Sequence, residues 1–117
     1  MTINEYQKEA LRTAPTRQTG ARWCDWVEPL ENGLMGLNGE AGEAIDILKK
    51  HLFQGHPLDR EHLAKELGDV AWYLAVSADA LGYTLEEILE MNVKKLRARY
   101  PEGFEVERSV SRKTDDI

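Results

Sequence analysis

Apolar residues recur along this chain at steps of three and four, the period of helices and not of strands. Ile3, Tyr6, Ala10 and Leu11 give the first such stripe. Thr2 precedes it as an N-cap, Glu5 completes a capping box, and Pro15 ends a first helix reaching about residue 14. Residues 16–20 read as a loop. A second helix is expected over residues 30–53, with Gln54-Gly55-His56-Pro57 as its stop. The third follows Asp59 as N-cap and runs to about residue 80, ahead of Gly82. Thr84-Leu85-Glu86-Glu87 is a second capping box, opening a fourth helix that ends at Arg99-Tyr100-Pro101. Residues 1–104 form the helical domain. Residues 105–117 are polar and aperiodic, and an extended tail is expected there, disordered unless something docks it.

The second helix carries Gly33, Gly36, Gly39 and Gly42, a glycine at every third position. Each costs about 1 kcal/mol relative to alanine inside a helix. Either the helix starts late, near Asn38, or the glycines admit a close neighbour, which can be another helix or a ligand. Both can hold.

Two acidic pairs, Glu40-x-x-Glu43 and Glu66-x-x-Asp69, lie within the second and third patterns. A step of three turns a helix by about 300°, so each pair occupies one stripe, one turn apart. With Glu66 at zero, Leu63, Leu67, Val70, Leu74 and Ala78 fall between about 40° and 120°, and Asp69 near about 300°. With Glu40 at zero, Leu37, Ala41, Ala44, Leu48 and Leu52 cover the same arc, and Glu43 takes the place of Asp69. Both helices thus carry their acids on the same shoulder of an apolar stripe. Either pair alone would read as a solvated face. Matched pairs facing each other would crowd four carboxylates, a repulsion that a bound cation relieves. An all-carboxylate set favours Mg²⁺ or Mn²⁺ over Zn²⁺. Neither pair has the Glu-x-x-His form of a di-iron bundle. Asp59-x-x-His62 resembles it but begins at an N-cap; it is read as capping and surface, and His51 and His56 as surface residues.

At 117 residues the chain makes one domain, and 42% hydrophobic with 31% charged residues is ordinary for a soluble globular protein. A net charge of −6 and a pI near 5.1 argue against a general polyanion-binding surface, so nucleic acid is not an expected partner. Cys24 is the single cysteine, which rules out an intrachain disulfide and fits a reducing cytoplasm. The first residues lack an apolar signal core and no long apolar run follows, so a cytoplasmic protein without a membrane span is expected. An acidic chain can still take a nucleotide where a metal and local cations offset the phosphates. Lys50 falls close to the angle of Glu43, while Lys49 points well away. On the fourth helix Asn92, Lys95 and Arg99 share one stripe. Alone, that stripe is a polar face whose cations suit the helix C-terminus. Facing the acids, it would offer charge for phosphates and an amide for a sugar or base, as phosphoryl or nucleotidyl chemistry requires.

Gly39-Glu40-Ala-Gly-Glu43-Ala-Ile-Asp46, followed by Glu66-Leu-Gly-Asp69-Val-Ala-Trp-Tyr73, resembles the MazG-type nucleoside triphosphate pyrophosphohydrolases. These belong to the all-α NTP pyrophosphatase superfamily, with the dimeric dUTPases. Asn92-Val-Lys-Lys95-Leu-Arg-Ala-Arg99-Tyr-Pro101 is similar to the family's closing helix, so the likeness spans roughly residues 33–104. It implies an all-α bundle of four to five helices, completed by forming a homodimer or homotetramer. It implies hydrolysis of an NTP or dNTP between the α and β phosphates, to a monophosphate and pyrophosphate, with housecleaning of the nucleotide pool as a frequent role. Glu40, Glu43, Glu66 and Asp69 would bind Mg²⁺ and carry catalysis; the general base is not assigned. Lys50, Lys95 and Arg99 would meet phosphates, and Asn92 the sugar or base. Trp23 and Trp26 are either base-stacking or packing residues; Tyr73 is a candidate pocket wall and Trp72 a core residue. Ser109 and Arg112 would reach a phosphate if the tail folds over the site. Two other readings stay open: a non-catalytic helical module that binds a nucleotide or partner, and a purely structural bundle.

Overall fold

Thr2 Oγ1 accepts the Glu5 backbone N–H at 3.1 Å, and Glu5 Oε2 accepts the Thr2 N–H at 2.9 Å, so the capping box read in the sequence is formed. It opens α1 (Ile3–Leu11) in a computed structural model that describes residues 1–15 and 25–112. There follow α2 (Val27–Gln54), α3 (Arg60–Ala80), α4 (Leu85–Arg99) and α5 (Val106–Val110). The described residues contain no strand, and the fold is all-α. None of these helices is long and apolar enough to cross a membrane.

The second helix starts earlier than its apolar pattern suggests. Asp25 Oδ1 accepts the Val27 N–H at 2.7 Å and Glu28 Oε2 accepts the Asp25 N–H at 3.2 Å, while Pro29 sits in the first turn, where a missing N–H costs nothing. All four glycines of the repeat are therefore inside one 28-residue helix. Gly55, at φ 73°, turns the chain out of α2, and its N–H reaches the Lys50 carbonyl. Asp59 Oδ1 then caps α3 by accepting the His62 N–H at 3.1 Å.

Helices α2 and α3 form an antiparallel hairpin, shown by which residues meet. Gly33 lies against Ser77, and Gly36 lies under the ring of Tyr73. A side chain at either glycine would collide with α3, so here the repeat admits a neighbouring helix. These two contacts also set the register. Seven residues, about two turns, separate Gly36 from Glu43 and likewise Tyr73 from Glu66, so the two acidic pairs come level across the hairpin.

Helix α1 packs on α3 around Ala10, Ala75 and Leu85, with Tyr6 and Trp72 against them. Trp72 Nε1 is shared between the Ala10 carbonyl and Thr13 Oγ1, both at 3.0 Å. Gln7 is buried and ties α1 to three places at once: α3, the turn after it and the start of α4. Its Nε2 donates to the carbonyls of Ala75 at 3.1 Å and Tyr83 at 3.4 Å, and its Oε1 accepts the Leu85 N–H at 2.9 Å. Gln7→Leu keeps the volume but strands that N–H, so a loss of about 1–3 kcal/mol is expected in urea unfolding. An unchanged midpoint would refute this role.

The chain divides into two units, Met1–Leu85 and a second from Glu86 onward. In the second, the rings of Tyr100 and Phe104 lie 5.3 Å apart and Arg108 pairs with Glu105 at 3.3 Å. The extended tail expected from the sequence is partly helical, since α5 occupies Val106–Val110. The i, i+3 pair of Glu105 and Arg108 supports that turn where no apolar period announces it.

The apolar stripes are only half covered. Leu52, Leu67 and Leu74, placed by the wheel on the buried side, remain 60%, 63% and 39% exposed. Each stripe is too broad for a single neighbouring helix to cover.

Candidate metal centre

Past Gly36 the glycine repeat changes role. Nothing lies within 4 Å of where a side chain would begin at Gly39 or Gly42. Both open onto a cavity of about 420 Å³, whose other walls are Glu43, Asp46 and Ile47 of α2 and His62 and Glu66 of α3. The late start near Asn38 is thus overturned, and the close-neighbour reading holds for a helix at Gly33 and Gly36, while Gly39 and Gly42 face open space.

Glu40, Glu43 and Glu66 each bring a carboxylate oxygen within 4.8 Å of the others. Glu40 Oε2 and Glu66 Oε2 are buried without a hydrogen-bond partner. Carboxylate oxygens can only accept, so facing carboxylates leave each other unsatisfied unless a proton or a cation lies between them. Asp69 is one turn along α3, exposed and outside this tight set, yet its charge is felt. It adds to burial in raising the Tyr6 phenol, and it is among the groups that raise Glu40.

Glu40 is pushed up to about 7, first by burial, then by the charge of Glu43, by the Glu66 carboxylate that its protonated form can face as a donor, and by Asp69. The folded, cation-free chain thus holds a proton that the unfolded chain, near 4.5, gives up. The sign follows: this group's stabilisation is complete below about pH 4.5 and is lost as pH rises through about 7. A divalent cation bound among these carboxylates would replace the proton. The melting-temperature gain on adding MgCl₂ should therefore grow between about pH 5 and pH 7 and level off above. Melting curves across that range check this; a gain independent of pH contradicts it.

The donor set fits a hard divalent cation, being oxygen-only, negatively charged and short of partners. Just beyond, Asp46 Oδ2 holds Lys50 at 2.8 Å and Oδ1 holds Lys49 at 3.2 Å, and these cations keep Asp46 below the usual carboxylate range, Lys50 foremost. The wheel had turned Lys49 away, but its flexible four-carbon stem brings the ammonium round to Asp46.

The description of the MazG nucleotide pyrophosphohydrolase domain matches residues 29–104, well over half of the chain. This chain belongs to the MazG family. It is also 38% identical over 107 residues to the Gene 37 protein of Mycobacterium phage L5, covering 88% of this chain and 92% of that one. No solved structure matches it.

The MazG domain takes in the carboxylate-bearing hairpin and α4, and leaves α1 outside. Of the residues singled out in the sequence, Glu40, Glu43 and Glu66 come together, the charge of Asp69 reaches Glu40, and Lys50 is tied to Asp46, a wall of the same cavity. Asn92, Lys95 and Arg99 lie along α4 in the second unit, as do Ser109 and Arg112 at and after α5. Trp23 falls outside the described residues. Trp26 is 54% exposed and lines a separate cavity of about 390 Å³, shared with Trp72, Asn32 and Asp79. Tyr73 is not a wall of the acidic cavity; its ring covers Gly36 and meets Trp72 edge-on at 4.9 Å. Two further residues line the cavity, Asp46 and His62, the second read in the sequence as capping and surface only. Asp46 continues the three-residue step of Glu40 and Glu43, and His62 precedes Glu66 by four, so both spacings were visible.

Proposed function

We propose that this protein is a Mg²⁺-dependent nucleoside triphosphate pyrophosphohydrolase, with Mn²⁺ able to substitute. Water adds to the α phosphorus of an NTP or dNTP, and the bridging oxygen leaves with the β and γ phosphates as pyrophosphate. The observation that carries the reading is the carboxylate cluster, with its two buried and unpartnered oxygens, on a MazG-family hairpin. Glu40, Glu43 and Glu66 hold the cation, and Asp69 completes the set. Bound there, the ion offsets phosphate charge and polarises the phosphoryl oxygens and the attacking water. Lys50 meets substrate phosphate by exchanging Asp46 for it, Lys95 and Arg99 add cations, and Asn92 meets the sugar or base. Trp23 is the stacking candidate.

A second copy of the chain covers the exposed stripe of Leu52, Leu67 and Leu74, giving a homodimer or homotetramer. The cellular role that suits this chemistry is removal of unwanted nucleotides in the cytoplasm.

The test is a panel of NTPs and dNTPs with MgCl₂ or MnCl₂, read as monophosphate plus pyrophosphate. Equimolar release of the two from some member supports the proposal. Tight binding with every substrate intact after hours would leave a non-catalytic nucleotide-binding module in its place.

A further inference from the structure

We infer that His62 is a positioning residue for the metal centre, holding one oxygen of Glu66 so that the other stays turned into the carboxylate cluster. This rests on the cation-binding reading above. His62 stands at the third position of α3, where Asp59 Oδ1 takes its backbone N–H at 3.1 Å and fixes the first turn from which the imidazole projects. One turn on, His62 Nε2 lies 3.3 Å from Glu66 Oε1. The Glu66 side chain is 12% exposed and that of His62 54%, so the more exposed imidazole stands against a carboxylate largely withdrawn from solvent.

The two oxygens of Glu66 therefore have different surroundings. Oε1 has the imidazole; Oε2 is buried with no partner. A glutamate carboxylate rotates broadly about its last bond, and one N–H placed against Oε1 removes most of that freedom. A carboxylate can only accept, so this role requires the proton on Nε2. The neutral imidazole suffices, so the role does not depend on its charge. His62 borders the same cavity as Glu43 and Glu66, yet no nitrogen of it belongs to the group of ligand atoms within 4.8 Å of one another. It is a partner of a ligand and not itself one. Partners of that kind commonly set metal affinity by about 10- to 100-fold.

The experiment is calorimetric titration of the full chain with MgCl₂ and, separately, MnCl₂, alongside metal-free melting curves. His62→Ala is expected to weaken both ions by about tenfold or more, with the metal-free melting temperature unchanged. His62→Gln puts an amide N–H close to where Nε2 stood and should restore both affinities to within about threefold. Equal affinity in the wild type and His62→Ala overturns the inference. So does a loss in His62→Ala that His62→Gln fails to repair, or one confined to Mn²⁺, the signature of direct nitrogen ligation. A wild-type chain that binds neither ion would instead defeat the metal-centre reading itself, and the first titration separates the two failures.

Discussion

Glu43→Gln is expected to reduce metal-dependent pyrophosphate release by roughly 10²–10³-fold while the helical content stays the same. The substitution keeps shape and volume and removes one negative charge from a set of three oxygens that lie within 4.8 Å of one another. Glu43 is the exposed member of the three, and its charge is the largest influence after burial in raising Glu40. Without it, Glu40 ionises at lower pH and the folded chain no longer holds three mutually repelling carboxylates. Two effects with opposite signs should therefore appear in one variant. Turnover collapses because the cation loses a ligand, and the melting temperature of the metal-free protein at pH 8 holds or rises because repulsion is relieved. The stabilisation by MgCl₂ shrinks with the activity. Rate assays paired with melting curves, with and without the ion, check all three. A variant that loses activity by unfolding would show a lower metal-free melting temperature, and that result would remove Glu43 from the metal centre.

Gly36→Val is expected to cost about 3 kcal/mol or more, the upper range for overpacking, and to cost it in the hairpin. The first carbon of any side chain at this position would overlap the Cε1 edge of the Tyr73 ring. Tyr73 is itself wedged edge-on against Trp72, whose indole N–H ties α3 to the end of α1, so the ring cannot retreat without loosening a second contact. Gly42→Ala is the matching control. It sits in the same helix and the same repeat, with open space at its Cβ, and should gain up to about 1 kcal/mol from helix propensity. Urea denaturation of both variants gives the comparison. If both lose or both gain, the division of the glycine repeat into a packing half and a cavity half is wrong.

What could be read in the sequence is what depends on one helix at a time. The spacing of Glu40 and Glu43, and of Glu66 and Asp69, needs only the helical period, as do the caps at Thr2 and Asp59. The start of α2 was harder, because Asp25, Glu28 and Pro29 hold it with local hydrogen bonds and a fixed φ that leave no apolar signature. Burial of Leu52, Leu67 and Leu74 could not follow from a wheel, since a wheel says which residues share a face and not how many neighbours that face meets. His62 was passed over because its backbone does serve the cap. The same residue also turns its ring to Glu66, and reading one role concealed the other.

The tip of the hairpin stands apart from its chemistry. Register is fixed by Gly33 on Ser77 and Gly36 on Tyr73, on the far side of the carboxylates from the turn at Gly55, and Glu43 on α2 is about three helical turns from that tip. Ahead of Asp59, the connection from α2 to α3 is thus free to vary in length and composition, at the small entropic cost of a longer loop, while the Asp59 cap keeps the turn that carries His62. Such a scaffold can exchange its tip for whatever surroundings the chain must work in, while the alignment of the carboxylates across the hairpin depends on keeping two glycines small.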